Sequence, residues 1–311
     1  MRLPPALNDR HALYERCVQN PAVVVRLLRA IHGGGGGVDG RGEPRLLRED
    51  FSARARVSRA WCAAIPGGRA VAVDLNARLL LRPGRGVRAV VGDVLRQPVS
   101  GPRADVIFVG NFSIGEIHTR AALVRYLKRS LARLNPGGVF VCDTYGGASA
   151  FRVGAVQRTH PWAQSAVAGV GTPRGANADL RIRYTWEQRE ADPLTGMVTN
   201  AIHFRVLRGT EAVGEITDAF IYRWRLWSVP ELSEAMTEAG FDRAEVYADV
   251  AEAVDEAGRP YVRPLAGPGD LNDGAGPGEG YIVCVAGRRA KGPTTARSSE
   301  RARGLTRSGR Q

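Results

Sequence analysis

Three carboxylates end apolar runs in the first third of this 311-residue chain: Asp50 after Leu46-Leu47, Asp74 after Ala70-Val71-Ala72-Val73, and Asp93 after Val87 to Val91. Apolar runs of this length read as buried parallel strands, and ligands bind such sheets at the carboxyl ends of the strands. Charge decides what these ends can hold. A dinucleotide requires a Gly-rich turn so that backbone and helix N-terminus can approach a pyrophosphate, and after Leu47 no Gly occurs before Gly67. A dehydrogenase is disfavoured on that ground. Glu49-Asp50 would repel a phosphate but suit an α-ammonium, and Asp74 is placed like an acid that takes ribose hydroxyls. Asp93 could meet an adenine amino group or cap the following turn. An ammonium plus a ribose describes S-adenosylmethionine.

The elements around these acids follow from periodicity. Val57, Ala60, Trp61, Ala64 and Ile65 recur at helical spacing and Pro66-Gly67-Gly68 stops them, so residues 45–76 read as one βαβ unit. Upstream, 11–19 and 22–32 read as helices, a lid or an edge cover, and Gly33 to Gly37 is a linker because a strand follows it. Downstream come a short helix over 75–81, strands over 87–91 and 105–110, a helix over 121–134 ended by Asn135-Pro136-Gly137-Gly138, and a fifth strand over 139–142. Residues 148–178 have no period and read as a mobile loop. Three segments then alternate strictly: Leu180, Ile182, Tyr184, Trp186; Val198, Ile202, Phe204, Val206; Ile216, Phe220, Tyr222, Trp224, Leu226. Period two gives each one apolar face. Asp192-Pro193-Leu194-Thr195-Gly196 is turn chemistry between the first two. His203 falls on the polar side. A helix over 230–239 and strands over 241–248 and 280–286 complete the pattern. It specifies an α/β fold, a Rossmann-like doubly wound, mostly parallel seven-stranded sheet with an antiparallel β insertion after strand five.

The chain resembles a family of bacterial class I S-adenosylmethionine-dependent methyltransferases with an LREDF-type first-strand motif. The resemblance rests on Tyr14 with Val18-Gln19-Asn20-Pro21, Leu47-Arg48-Glu49-Asp50-Phe51, Val71 to Leu75, Asn111-Phe112-Ser113, Asp143-Thr144-Tyr145-Gly146-Gly147, Tyr184 to Gln188, and Tyr222 to Trp227. It implies cofactor contacts from Tyr14, Arg48, Glu49, Asp50, Phe51, Ser52, Ala53, Asp74, Leu75, Asp93, Val94, Asn111 and Phe112, with Gln19 facing the same ligand. One departure stands out. Where the family runs Asp-Phe-Cys-Gly-Thr-Ala, this chain has Asp50-Phe51-Ser52-Ala53-Arg54-Ala55. Ala53 is expected at negative φ, and Arg54 and Arg56 set positive charge near a cationic sulfonium and against the helix dipole.

Composition narrows the classes further. The formal charge is +13, but of 44 basic residues only Lys128 and Lys291 are lysines, and eight lie in the tail from Arg288 to Gln311. The charge therefore reads as arginine bias, arguing against nucleic-acid binding by the body. Cys17, Cys62, Cys142 and Cys284 are scattered, which argues against a zinc or disulfide framework. No apolar run has membrane-spanning length and the N-terminus has no signal-like segment, so a soluble cytoplasmic protein is expected.

The expected organisation is an N-terminal helical cap and linker (1–44), a cofactor-binding core (45–147), a loop and β insertion roofing the substrate (148–228), the rest of the core (229–287) and a disordered basic tail (288–311). The expected activity is methyl transfer from S-adenosylmethionine to a small-molecule acceptor, with Tyr145, Tyr184, Trp186, Tyr222 and Trp224 towards the substrate. Candidate bases, should one be needed, are Glu116, His118, Asp143 and Tyr145. The Asn111-Phe112-Ser113 run has no proline, which argues against a base-amine methyltransferase. Alternatives are a catalytically decayed cofactor- or partner-binding protein, motivated by Ala53, Arg54 and Arg56, and an RNA methyltransferase using the tail.

Overall fold

The computed structural model describes residues 5–33, 42–162, 179–248, 253–254, 260–270 and 280–291. Two helices open the chain, α1 (Arg10–Cys17) and α2 (Pro21–Gly33); the Asp9 side chain caps α1 by accepting from the His11 and Ala12 amides. Then come β1 (Leu46–Asp50), α3 (Arg56–Ala64), β2 (Arg69–Asp74), β3 (Val87–Val91), β4 (Ala104–Val109), α4 (Arg120–Arg133) and β5 (Leu134–Gly147). Four long strands follow, β6 (Gly154–Pro161), β7 (Leu180–Asp192), β8 (Met197–Arg208) and β9 (Glu211–Arg225), and then α5 (Val229–Ala239) and β10 (Arg243–Ala248). A two-residue pair, β11 (Ala253–Val254) and β12 (Pro260–Tyr261), precedes β13 (Gly280–Arg288).

The main sheet has seven strands in the order β10-β13-β5-β4-β1-β2-β3. β1 to β5 run parallel, and β13 is antiparallel to both β5 and β10. This is the doubly wound sheet that the strand and helix periods predict. Its strands are buried on both faces: Leu47, Ala72, Val106 and Val141 pack with α2 and α3, while Leu46, Val73, Ile107 and Phe140 pack with α4 and α5. Ser228 and Glu231 form a capping box at the start of α5, and Gly240, at φ 98°, ends it.

The insertion is a four-stranded antiparallel sheet, β6-β7-β8-β9. Its fourth strand corrects the expected loop: β6 lies inside 148–178, pairing Gly154 with Gln188 through Pro161 with Arg181. Nearly all of β6 is exposed, so no alternation marked it. The rest of that predicted loop, 163–178, lies outside the described residues. Two boundaries also move. Asn135 to Gly138 interrupts the β4–β5 ladder within β5 and does not form a separate stop. Arg288 belongs to the folded body, buried, with Nη2 donating to Ile31 O at 2.7 Å and to Tyr247 Oη at 2.8 Å. The predicted disordered tail from residue 292 lies outside the described residues. Among the described residues no helix is long and apolar enough to cross a membrane, and no group of three or more His, Cys, Asp or Glu could hold a metal.

Candidate functional site at the carboxyl edge

The chain after β1 is a turn in which every second residue is left-handed: Phe51 at φ 56°, Ala53 at 45° and Ala55 at 55°. Ala53 therefore corrects the expectation of a negative φ. Each such residue costs about 1–2 kcal/mol without glycine's freedom, so contacts must impose the shape. The Ser52 amide donates to Val73 O at 2.9 Å, the Ala53 amide to Asp74 Oδ2 at 2.7 Å, and the Ala55 amide to Ser52 O at 2.7 Å. Glu49, buried, caps α3 in place of Ala55: its Oε2 accepts from Ser58 N at 2.7 Å and Ser58 Oγ at 2.5 Å. Burial nonetheless raises the Glu49 pKa to about 7.

The acidic pair is split by strand alternation. Glu49 faces α3, whereas Asp50 faces α4, where Tyr126 Oη donates to its Oδ2 at 2.7 Å and Arg48 Nε lies 2.8 Å from its Oδ1. Asp50 is 1% exposed. Both acids are buried and already paired, and Arg48 is held by Asp50. Asp74 ends β2, half-buried, with Oδ1 accepting the Asn76 amide at 2.9 Å and Oδ2 the Ala53 amide. Asp93 takes the capping alternative: Oδ1 accepts the Leu95 amide at 2.8 Å, and Oδ2 lies 3.3 Å from the exposed Arg96. The Val94 side chain is in the core under α4. Leu75 and Val91, by contrast, are exposed at 74% and 53%, two apolar side chains beside Asp74 at the ends of adjacent strands.

Arg54 and Arg56 are neutralised. Arg54 Nη2 bonds Asp9 Oδ2 at 2.7 Å and Arg56 Nη1 bonds Glu15 Oε2 at 3.0 Å, so both reach across to α1. Their charge ties the first turn of α3 to the N-terminal helix. α1 is also held to the insertion, by Arg10 Nη1 donating to Ala219 O and by Tyr14 edge-on to Phe220 at 5.2 Å. The Tyr14 and Tyr222 phenols share a hydrogen bond, and burial pushes the Tyr14 pKa well up.

The second turn follows β4. Asn111 and Phe112 are left-handed at φ 57° and 61°, and their amides donate to Asp143 Oδ2 at 2.8 Å and Oδ1 at 2.6 Å. Phe112 meets Tyr145, Trp186 and Trp224 at centroid distances of 5.0, 5.7 and 6.1 Å. Trp224 stacks on Tyr222 at 4.4 Å. One aromatic wall thus runs from Tyr14 through Phe220, Tyr222, Trp224 and Trp186 to Phe112 and Tyr145. Of the expected substrate residues Tyr184 packs its ring on Phe204 and His160, within the same apolar cluster as Tyr14 and Tyr222. Gly115 lets the insertion close on this turn, since a Cβ there would lie 2.8 Å from Trp224 Cβ.

The four candidate bases are all engaged. Asp143 accepts the two turn amides; Glu116 Oε1 accepts Trp224 Nε1 at 2.8 Å; His118 Nε2 donates to Arg223 O at 2.8 Å. Tyr145 Oη donates to Gln188 Oε1 at 3.1 Å and accepts from Asn200 Nδ2 at 3.3 Å, and burial raises its pKa. Gln188 and Asn200, both buried, escaped the sequence reading. Their signal was present: each continues the inner-face alternation of its strand, Gln188 after Trp186 and Asn200 before Ile202. His203 bonds Glu187 Oε2 at 3.0 Å, away from the aromatic wall.

No protein-family model and no curated protein matches the chain. Solved structures do match in fold. DesVI of Streptomyces venezuelae aligns over 93% of this chain and 100% of its own, with TM-score 0.61 and 14% identity. The sugar N-methyltransferase KedS8 of Streptoalloteichus sp. aligns over 90% and 92%, with TM-score 0.59 and 14% identity. CalS10 of Micromonospora echinaspora, an amino pentose methyltransferase solved with S-adenosylmethionine bound, aligns over 93% and 98%, with TM-score 0.58 and 13% identity. At these identities the likeness is one of fold: this chain shares its architecture with these structures, two of which are methyltransferases.

Proposed function

We propose that this chain transfers a methyl group from S-adenosylmethionine to a small-molecule acceptor lodged between the turns after β4 and β5 and the aromatic face of the insertion. The observation that carries this reading is Asp74: it anchors the left-handed turn through Ala53 yet remains half-exposed between that turn and Leu75. Each carboxylate oxygen takes one amide and retains capacity for a ribose hydroxyl. Leu75 and Val91 offer apolar flanks for an adenine ring. When bound, the cofactor supplies a sulfonium methyl already activated for in-line displacement. The chain's residues then align the acceptor and exclude water, with Phe112, Trp186 and Trp224 as the dry wall and Tyr145, Gln188 and Asn200 as polar contacts.

The acceptor is proposed to bring its own lone pair, so that none of Glu116, His118, Asp143 and Tyr145, each of which already makes a structural hydrogen bond, is required as a base. A neutral amine meets that requirement, and two fold neighbours, a sugar N-methyltransferase and an amino pentose methyltransferase, support it. Of the three residues that motivate the decayed-protein reading, Arg54 and Arg56 are neutralised by Asp9 and Glu15, and Ala53, though left-handed, is held by Asp74. The test is to incubate the full chain with methyl-labelled donor and a panel of small amines, alcohols and RNA. Label should enter amines, at a rate that rises with pH as the amine loses its proton. Label entering only alcohols or RNA would overturn the proposal.

A further inference from the structure

A second polar site lies on the face of the sheet that packs against α4, towards the amino ends of the strands. β1, β2 and β3 place Arg48, Val71 and Arg88 in register side by side, so both arginines leave the same face and flank a valine. Arg133, from the last turn of α4, lies over the same cavity, which measures about 80 Å³ and is also lined by Gln97 and Ser100. The cavity exists because the link from β3 to β4, residues 92–103, crosses this face without a helix. At roughly 10–15 Å³ per water it has room for several waters or one tetrahedral oxyanion.

The charges facing the cavity do not balance. Three guanidinium groups meet one carboxylate, Asp50, which is already committed to Arg48 and Tyr126. The roof from Val94 to Arg103 contains no acid. Arg133 is 4% exposed; its Nη2 donates to Gln97 O at 2.6 Å, but its Nε and Nη1 find no acceptor among the described residues, nor does Arg48 Nη2. Burial and the neighbouring Arg48 pull the Arg133 pKa down, the signature of a cation short of counter-charge. A buried guanidinium with two idle donors is costly unless an acceptor joins it, and its planar fork matches an oxyanion.

We propose that this cavity binds a small oxyanion, a phosphate or carboxylate group, held by Arg48, Arg88 and Arg133 on the sheet face remote from the carboxyl-edge site. The assignment is independent of the methyl-transfer reading. It does touch the first turn: the anion and Asp50 share the Arg48 guanidinium, and Asp50 immediately precedes Phe51.

The experiment is calorimetry and thermal unfolding of the full chain with inorganic phosphate and with acetate, at constant ionic strength. Saturable binding is expected, with a midpoint rise of about 2–4 °C once the anion reaches about ten times its Kd. Arg88→Gln changes an exposed side chain, leaves the core intact and should weaken binding about tenfold or more. Arg133→Gln should abolish it, and if that variant does not fold, Arg88→Gln alone decides. Tighter phosphate binding would identify a phosphorylated ligand, and equal binding of acetate a carboxylate; both support the site. Absence of saturable heat from either anion, or wild-type binding by Arg88→Gln, would overturn it.

Discussion

Two turns at the carboxyl edge solve the same problem with different means. Both are left-handed, both lack glycine at the left-handed positions, and both borrow a carboxylate from the next strand. After β4 the two strained residues are adjacent, and both oxygens of Asp143 hold their amides. After β1 three strained residues alternate, and only Ala53 reaches a carboxylate, Asp74. The turn after β4 is therefore locked, with the aromatic wall packed on Phe112. The turn after β1 carries more strain on a single carboxylate bond, and its support comes also from backbone amides, from Glu49 behind α3 and from α1 through Arg54 and Arg56. Each carboxylate takes one amide per oxygen, but Asp143 gives both to its own turn, whereas Asp74 gives one to its turn and the other to the Asn76 amide.

The sharpest way to break the comparison is Asp143→Ala. It leaves two part-buried amides without their acceptor, and urea unfolding should show a loss of about 2–4 kcal/mol. Next is the pH dependence that Glu49 brings to the turn after β1. Its folded pKa, about 7, lies above the ordinary 4.5, so the folded state binds the proton more tightly. The resulting stability is fully present below pH 4.5 and is lost as pH rises towards 7, and Glu49→Gln should flatten that part of the curve. The smallest effect is Ala53→Gly. Relief of one left-handed Cβ, offset by glycine's greater chain entropy, should stabilise the protein by about 1 kcal/mol, read as a shift in the denaturant midpoint at unchanged slope.

Much of this edge was legible in the sequence. Strand ends at Asp74 and Asp93, the helix between them and the first strand, and the period-two aromatics all follow from patterns that burial imposes. Alternation also contained what the sequence reading passed over. Adjacent residues in a strand face opposite sides, so Glu49 and Asp50 could never have served one ligand together. The same rule placed Gln188 and Asn200 among the inner-face aromatics. Other features had no local signal. Ala53 carries a positive φ because Asp74 and the turn amides over-determine it, and the partners of Arg54 and Arg56 lie 41 to 45 residues upstream. The edge strand β6 buries neither face, so no hydrophobic period could announce it.

The most direct test of the account is calorimetric titration of the wild-type chain and Asp74→Ala with S-adenosylmethionine, with NAD as control. The wild type should bind S-adenosylmethionine at micromolar Kd, roughly −8 kcal/mol, with no response to NAD. Asp74→Ala should lose about a hundredfold or more, because it removes the ribose acceptor and the anchor of Ala53 together. Equal affinity in the two proteins, or no binding by the wild type, would contradict the assignment of the carboxyl edge as a cofactor site.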